Sequence, residues 1–400
     1  MKISRQKQPI ITYFMLNCYI WLVEQNYMLI YNNVNNGCKG EISMRKHYLD
    51  NIRWVTVVLV VIYHVLYMYN TEGVPGGLGR ITELDVQYYD LFLNAVYPWL
   101  MPILFIVSGI SSRLYLEKHT DKEFVKSRTV KLLVPSTIGL FVFQFIQGYI
   151  SMSLSNAFDD LKEVPAIIKY LIMVLSGSGV LWYVQMLWLF SVMLTWIRKA
   201  EKDRGWQLGK KVNLWVLLLM TPIIWLSAQS GNTPVVIVYR FGLYSTVFFL
   251  GYFVFSHDEV IKILKKYSGL LVSAAAILGV SFCWYSYGKN YADGPINRSL
   301  LFTSYSWFGS LALLGGFAEN FDFENGFTRW MNRHSFGLYV FHYLGISAIA
   351  LFVAKPGLLN PALIYVFSLM AGFVSGYVLW EIISRLPFFR WAVLGREKKG

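Results

Sequence analysis

Charged residues and cysteine are scarce in this sequence. Only 15% of its 400 residues are charged, compared with about a quarter in an average soluble domain, and 56% are hydrophobic. The three cysteines, Cys18, Cys38 and Cys283, lack the spacing of a metal site, a redox motif or a disulfide framework. No internal repeat is visible. This composition excludes a set of ordinary soluble domains and a cysteine-based metal centre.

The hydrophobic residues occur in blocks of about twenty, the length that an α-helix needs to cross about 30 Å of hydrocarbon. Ten such blocks follow residue 44, and the longest outer loops, about 71–90 and 151–179, are too short to form a domain. We therefore predict an all-α, polytopic transmembrane helix bundle of about ten spans, with any reaction in or at the membrane. The predicted spans cover residues 52–70, 91–113, 132–150, 180–198, 213–229, 239–256, 268–287, 300–320, 335–354 and 361–384.

The net charge of +13 is typical of nucleic-acid-binding proteins, but the basic residues are sorted between alternate loops instead of forming one patch. The side that holds both ends of the ten-span domain has 24 Lys and Arg residues, and the opposite side has seven. The positive-inside rule then predicts a multi-pass protein of the cell membrane with both core termini cytoplasmic and no nucleic-acid partner. The seven residues are Arg80, Lys162, Lys169, Arg240, Lys289, Arg298 and Lys355.

Residues 1–43 differ from the rest of the chain. The segment 10–31 is apolar but contains Asn17, Glu24 and Asn26, and no small-residue cleavage site of a signal peptide follows it. Met44 directly precedes the segment RKHYLD at 45–50, so the part before it is an optional extension or the result of an over-called translation start. We therefore divide the chain into an N-terminal extension, 1–43, which is not needed for the core, and a ten-span membrane domain, 44–400.

The first predicted span, within 49–69, carries ionisable residues in an apolar helix. Arg53 and His64 are eleven residues apart, so they lie within about 20° of each other around the helix and about 16 Å apart along it. Asp50 is three residues before Arg53, where an ion pair can form. Ionisable groups inside a membrane are costly and usually functional, and a neutral histidine can take a proton from a hydroxyl. These residues predict a functional site in which His64 takes a proton from a hydroxyl; the alternative is a histidine that packs the helix and hydrogen-bonds a neighbouring span.

Two further groups of polar residues have structural as well as functional interpretations. Ser335, Tyr339 and His342 share one face of the ninth span, where they bind a substrate or only hydrogen-bond neighbouring helices. Lys126, Arg128 and Lys131 lie in a basic cytoplasmic loop, where they hold cofactor phosphates or only satisfy the positive-inside rule. Small residues at 108–109 and 177–179 predict close helix contacts.

Several motifs resemble those of acyltransferase family 3, integral-membrane enzymes that modify glycans and lipids. LDNIR at 49–53, followed by His64 in R-X10-H spacing, resembles the signature of the family's first helix. The segments VSGI at 107–110, 126–135 with its final Leu-x-Pro, LWYV at 181–184 with Trp182, and SFGLYVFH at 335–342 are similar to later family motifs in the same order. The start YLDNIR and residues 380–389 are most similar to the branch called glucan biosynthesis protein C, which attaches succinyl groups to periplasmic glucans.

The resemblance implies an O-acyltransferase that uses cytoplasmic acyl-CoA, either acetyl-CoA or succinyl-CoA, and modifies a hydroxyl of an extracytoplasmic glycan or lipid-linked acceptor. It implies His64 as the base and Arg53 near the donor, with supporting roles for Asp50, Trp182, Ser335, Tyr339 and His342, and it implies no metal. A transporter or flippase for a glycan or lipid precursor is the alternative, although no pair of broken helices in corresponding halves supports it. A structural membrane subunit is a second alternative.

Overall fold

Three long helices of this protein begin at polar capping residues that interrupt its apolar sequence. The computed structural model describes residues 45–70, 77–82, 90–232 and 238–396, so the predicted extension 1–43, with Cys18 and Cys38, lies outside the described residues. Ser299, Asn325 and Asn360 each accept a hydrogen bond from the backbone N–H three residues later and so start three long helices.

Within the described ranges the chain is helical and contains no strand. In chain order the helices are α1 (His47–Met68), α2 (Asp90–Leu116), α3 (Asp121–Leu154), α4 (Ala166–Ser176), α5 (Gly179–Glu201), α6 (Arg204–Gly209), α7 (Leu214–Ser227), α8 (Phe241–Phe253), α9 (Asp258–Lys266), α10 (Ser268–Ser286), α11 (Leu300–Asn320), α12 (Gly326–Ala354), α13 (Pro361–Arg385) and α14 (Pro387–Leu394). Short helical turns span Asp159–Leu161 and Gly294–Asn297. The predicted all-α polytopic bundle is therefore confirmed.

Eight helices in the described part of the chain are long and apolar enough to cross a membrane. They correspond to eight of the ten predicted spans. The remaining two, 213–229 and 239–256, contain shorter helices: α7 is divided into Leu214–Leu219 and Thr221–Ser227, with Pro222 at the start of its second part, and α8 has 13 residues. Thirteen residues rise about 20 Å, less than the hydrocarbon thickness.

Helix α1 packs against four other helices of the bundle, α2, α11, α12 and α13. Helices α2 and α8 pack along each other, as do α12 and α13. By contrast, α10 and α13 leave most of their apolar surface exposed, as helices do when that surface faces lipid. This arrangement places both polar ends of α1 against other helices of the bundle.

Candidate active site

Arg53 joins the first turns of α1 to the end of α2. Its Nη1 atom is 2.6 Å from Asp50 Oδ1, so the ion pair expected from their spacing forms. Its Nη2 atom donates a hydrogen bond to Ser111 Oγ on α2, and Ser111 Oγ in turn donates to the Val107 carbonyl at 2.7 Å. Asp50 at the start of a helix also interacts favourably with the helix dipole. The guanidinium is therefore fixed between two helices.

Arg128, in α3, approaches the same part of α2. Its Nη2 atom donates to Ser112 Oγ at 3.1 Å, one residue after the serine that Arg53 contacts, and its guanidinium lies 5.0 Å from the centre of the Phe124 ring. Arg128 forms no ion pair with a carboxylate of the described residues. Asp50 pairs with Arg53 and leaves the charge of Arg128 unpaired among the described residues, so an anion can bind here.

Two tyrosines connect this cationic end with the interior. The Tyr183 hydroxyl is 3.0 Å from Ser108 Oγ, and the Tyr183 ring is 5.9 Å from the Tyr339 ring. Tyr339 donates a hydrogen bond to the Val180 carbonyl, and its ring lies 6.4 Å from that of His342. The two rings therefore form an aromatic path between the arginines and the histidines.

His64 and His342 form a pair inside the bundle. Nε2 of His342 lies 3.1 Å from Nδ1 of His64, although 278 positions separate the two residues in the chain. His342 is fully buried on α12, whereas His64 on α1 is partly exposed. The sequence places both residues among the candidates, and packing of α1 against α12 brings them together.

The hydrogen bonds of the pair determine which nitrogen atoms carry protons. His342 Nδ1 is 2.9 Å from the Leu338 carbonyl, which only accepts, so this nitrogen is the N–H and the neutral ring has its lone pair on Nε2. His64 Nδ1 faces two acceptors, His342 Nε2 and the Val60 carbonyl at 2.8 Å, and is therefore protonated. Neutral His64 then has its lone pair on Nε2, which bonds to no described residue. This arrangement leaves Nε2 able to take a proton from a substrate.

A cavity of about 830 Å³ opens at the end of the bundle that contains Arg53. Lys126 and Lys131 line it from α3, and Arg390 and Arg396 line it from α14 and the residue that follows the helix cap. Burial and the nearby charge of Arg333 lower the pKa of Arg396. Glu123 is the acidic lining residue, so the cavity is strongly basic. Lysine and arginine in such a cavity are suited to binding phosphate groups.

The cavity wall includes a π-helical turn, Thr129–Leu133, against which Gly395 packs. Gly395 has a φ angle of +59°, and a Cβ atom there would lie 2.5 Å from the Val130 carbonyl oxygen and 2.7 Å from the Lys131 Cα atom. Only glycine satisfies both the left-handed conformation and the close approach. The contact holds Arg396 beside Lys131.

The structure separates the other predicted residues from the histidine pair. The Ser335 hydroxyl donates to the Asn332 carbonyl at 3.2 Å within its own helix, so it forms no hydrogen bond with His342. Trp182 packs near Tyr244 and Tyr239, with ring centres 5.6 and 6.3 Å away. Arg128 contacts Ser112 and is not part of the cavity wall. Among the described residues, no group of three His, Cys, Asp or Glu residues is placed to hold a metal ion.

Arg390, Arg396 and Tyr183 were not among the residues predicted from the sequence. Arg390 and Arg396 are two of several basic residues near the carboxyl terminus, and the positive-inside rule accounts for such residues without a site. Only Gly395, directly before Arg396, hints at a chain reversal there. Tyr183 lies next to the predicted Trp182, and nothing in its spacing distinguishes it from other membrane tyrosines.

A family model described as an acyltransferase domain matches residues 46–381. The match extends from the residue before α1 into α13 and includes both histidines of the pair, whereas Arg390 and Arg396 lie beyond it. No curated protein and no solved structure matches the chain.

Proposed function

Because the chain belongs to acyltransferase family 3, an enzyme family that transfers groups other than amino-acyl groups, we propose that it moves an acetyl or succinyl group from cytoplasmic acyl-CoA to a hydroxyl of an extracytoplasmic glycan or related envelope acceptor. The proposed location is the cell membrane, with both ends of the ten-span domain in the cytoplasm. Similarity to the glucan biosynthesis protein C branch makes a periplasmic glucan the first acceptor to test.

One observation carries this proposal, the pairing of His64 with His342. A base for acyl transfer needs a nitrogen lone pair directed at the acceptor hydroxyl and a fixed ring. Hydrogen bonds to Val60 and His342 occupy Nδ1 of His64 and leave Nε2 for the substrate. A histidine that only stabilised the packing of α1 would have no need for a free ring nitrogen in a partly exposed side chain.

The basic cavity supports acyl-CoA as the donor. The phosphates of CoA match the four cationic side chains of Lys126, Lys131, Arg390 and Arg396. From there, the acyl-pantetheine arm is proposed to extend past Arg53 and Arg128 and along Tyr183 and Tyr339 to the histidines. Acyl-CoA and the acceptor thus enter from opposite ends of the bundle.

In the proposed reaction His64 Nε2 removes the proton of the acceptor hydroxyl while its oxygen attacks the thioester carbonyl. The tetrahedral centre then collapses, the C–S bond breaks, and the CoA sulfur takes the proton from the His64 imidazolium. Arg53 lies about 16 Å from His64 along α1, too far to contact the reacting carbonyl, and is proposed to orient the donor. The products are an oxygen ester and free CoA, and His64 returns to its neutral state.

The direct test is an assay of the purified protein in detergent with acetyl-CoA or succinyl-CoA and candidate glycans. We expect free thiol to appear only when donor and acceptor are both present, together with an acylated glycan in the mass spectrum. Transport of a glycan or lipid precursor into vesicles without a change in its mass would contradict the proposal and identify a transporter instead.

Neutralising the basic cavity is expected to weaken donor binding. We expect Lys131→Gln and Arg396→Gln each to raise the KM for acyl-CoA about 10-fold with little change in kcat, because a lost charge-assisted bond weakens ground state and transition state alike. Steady-state kinetics at low salt measures the effect. Lys262→Gln, an exposed lysine on α9, is the matched control. Equal KM values for the cavity variants and this control would mean that acyl-CoA does not bind in this cavity.

A further inference from the structure

Arg240 is buried at the end of the bundle opposite to Arg53. Its exposed fraction is 2%, and it directly precedes α8. The Nη2 atom donates to the Asn297 carbonyl at 2.6 Å, and the guanidinium lies 5.0 Å from the centre of the Phe302 ring. These neutral groups hold the arginine in place without balancing its charge.

The positive charge of this guanidinium is not balanced by the described residues around it. Arg240 forms no ion pair with a described residue, and its Nε atom is buried without a hydrogen-bond partner. The start of a helix carries a positive partial charge, so a cation just before α8 is also repelled by the helix dipole. An arginine inside a membrane protein is normally paired, because desolvation of the isolated charge is costly. An anion at this position would balance the charge of Arg240, accept a hydrogen bond from its Nε atom and offset the repulsion by the helix dipole.

Tyrosines connect Arg240 to His64. The hydroxyls of Tyr97 and Tyr244 lie close enough to interact with the guanidinium. The Tyr97 ring stacks on Tyr63 with centres 6.1 Å apart, and the Tyr63 ring is 5.2 Å from that of His64. Tyr97 is partly exposed, whereas Arg240 is buried. Arg240 is thus two aromatic side chains away from the proposed base, on the side opposite to the acyl-CoA cavity.

We propose that Arg240 is an anion-binding site for a carboxylate or phosphate group of the substrate on the extracytoplasmic side of His64. This inference rests on the proposed function for its role in catalysis. Two sources can supply the anion: an acidic group of the acceptor, or a free carboxylate at the end of the acyl group. Tyr63 and Tyr97 line the route between the anion and the reacting hydroxyl, and aromatic rings are suited to stacking against sugars.

A binding experiment tests the site without relying on catalysis. Thermal unfolding of the detergent-purified protein is measured with glucuronate, succinate, inorganic phosphate or glucose at equal ionic strength. We expect at least one of the anions to raise the melting temperature more than glucose does, and Arg240→Gln to abolish that difference. Arg298→Gln, an exposed arginine next to Asn297, should retain it. Equal responses to all four compounds in the wild-type protein would overturn the proposal.

Kinetic measurements then distinguish the two sources of the anion. If the acyl group supplies it, Arg240→Gln should lower kcat/KM for succinyl-CoA by about 10- to 100-fold and leave acetyl-CoA nearly unchanged. If the acceptor supplies it, the same loss should occur with a uronic-acid or phosphate-bearing glycan and not with a neutral one.

The variant Arg240→Lys distinguishes the effect of the positive charge from an effect on folding. It keeps the cation and should therefore keep part of the preference for anionic over neutral substrates. An equal loss of activity with neutral and anionic substrates in both variants would assign Arg240 a purely structural role. Absence of activity with every substrate, combined with Arg240-dependent anion binding, would refute the proposed function and leave the anion site supported.

Discussion

Replacing His64 by glutamine is expected to lower kcat by about 100- to 10,000-fold, the usual contribution of a general base. Glutamine has a similar size and can still hydrogen-bond to the Val60 carbonyl, so the packing of α1 against α12 should change little. What the variant loses is the nitrogen that takes the hydroxyl proton. The CoA-release assay measures the effect, and thermal unfolding shows whether the fold is retained.

Two other histidines make this prediction specific. His257→Gln removes a buried histidine whose Nε2 lies 2.7 Å from the Trp206 carbonyl, far from the pair in the fold, and should affect stability without affecting kcat. His342→Gln should lower kcat less than His64→Gln does, because it only disturbs the orientation of the base. Full activity of the His64→Gln variant in folded protein would refute the assigned role, and the structural-subunit alternative would then explain His64.

Replacing Gly109 by valine is expected to destabilise the protein by about 3 kcal/mol, at the upper end of the usual range for overpacking. A Cβ atom at position 109 would collide with the Phe248 carbonyl oxygen and lie 2.9 Å from the Tyr252 backbone nitrogen. Gly251 meets the Ile106 carbonyl in the same way, so α2 and α8 pack backbone against backbone. Separating the helices would also displace the serines that hold Arg53 and Arg128, so transfer activity should fall with stability.

Gly316 is the matched control for this substitution. It lies in α11, another membrane-spanning helix, and a Cβ atom there would have open space around it. Gly316→Ala should leave the melting temperature unchanged or raise it, because alanine is the better helix former by about 1 kcal/mol. Equal melting temperatures for Gly109→Val and the wild-type protein would mean that α2 and α8 are not in direct backbone contact.

The fold class follows from the sequence because a membrane restricts it so strongly. Apolar blocks of about twenty residues have to be helices, since an unpaired backbone is not tolerated in lipid. Eight of the ten predicted spans are long helices in the structure. The other two, α7 and α8, show where the argument from length fails: an apolar block predicts burial in lipid or in protein, and it does not say whether its helix is continuous. Orientation across the membrane stays a prediction.

Close helix contacts and local pairs were also predictable. The Asp50–Arg53 ion pair depends only on helical spacing, and the contact at Gly109 was expected from the small residues at 108–109. The lysines of the basic loop were predicted as phosphate ligands, and the structure places Lys126 and Lys131 on the cavity wall but directs Arg128 to Ser112. Lys126 and Arg128 are two residues apart in a regular helical turn, so they lie about 200° apart around the helix and point to different sides. Lys131 lies in the π-helical turn that follows, Thr129–Leu133, and periodicity does not reveal such a turn.

The sequence by itself determined that this chain is a polytopic helix bundle and that Arg53 and His64 share α1, because hydrophobic length and helical spacing are local properties. Only the tertiary structure decided that His342 fixes the His64 ring, that Arg396 lies near Lys131, and that Arg240 is buried without a counter-charge among the described residues. These contacts join residues far apart in the chain, and they depend on which faces of which helices pack together. No local pattern of residues specifies that packing, because in a membrane most faces of a helix are equally apolar.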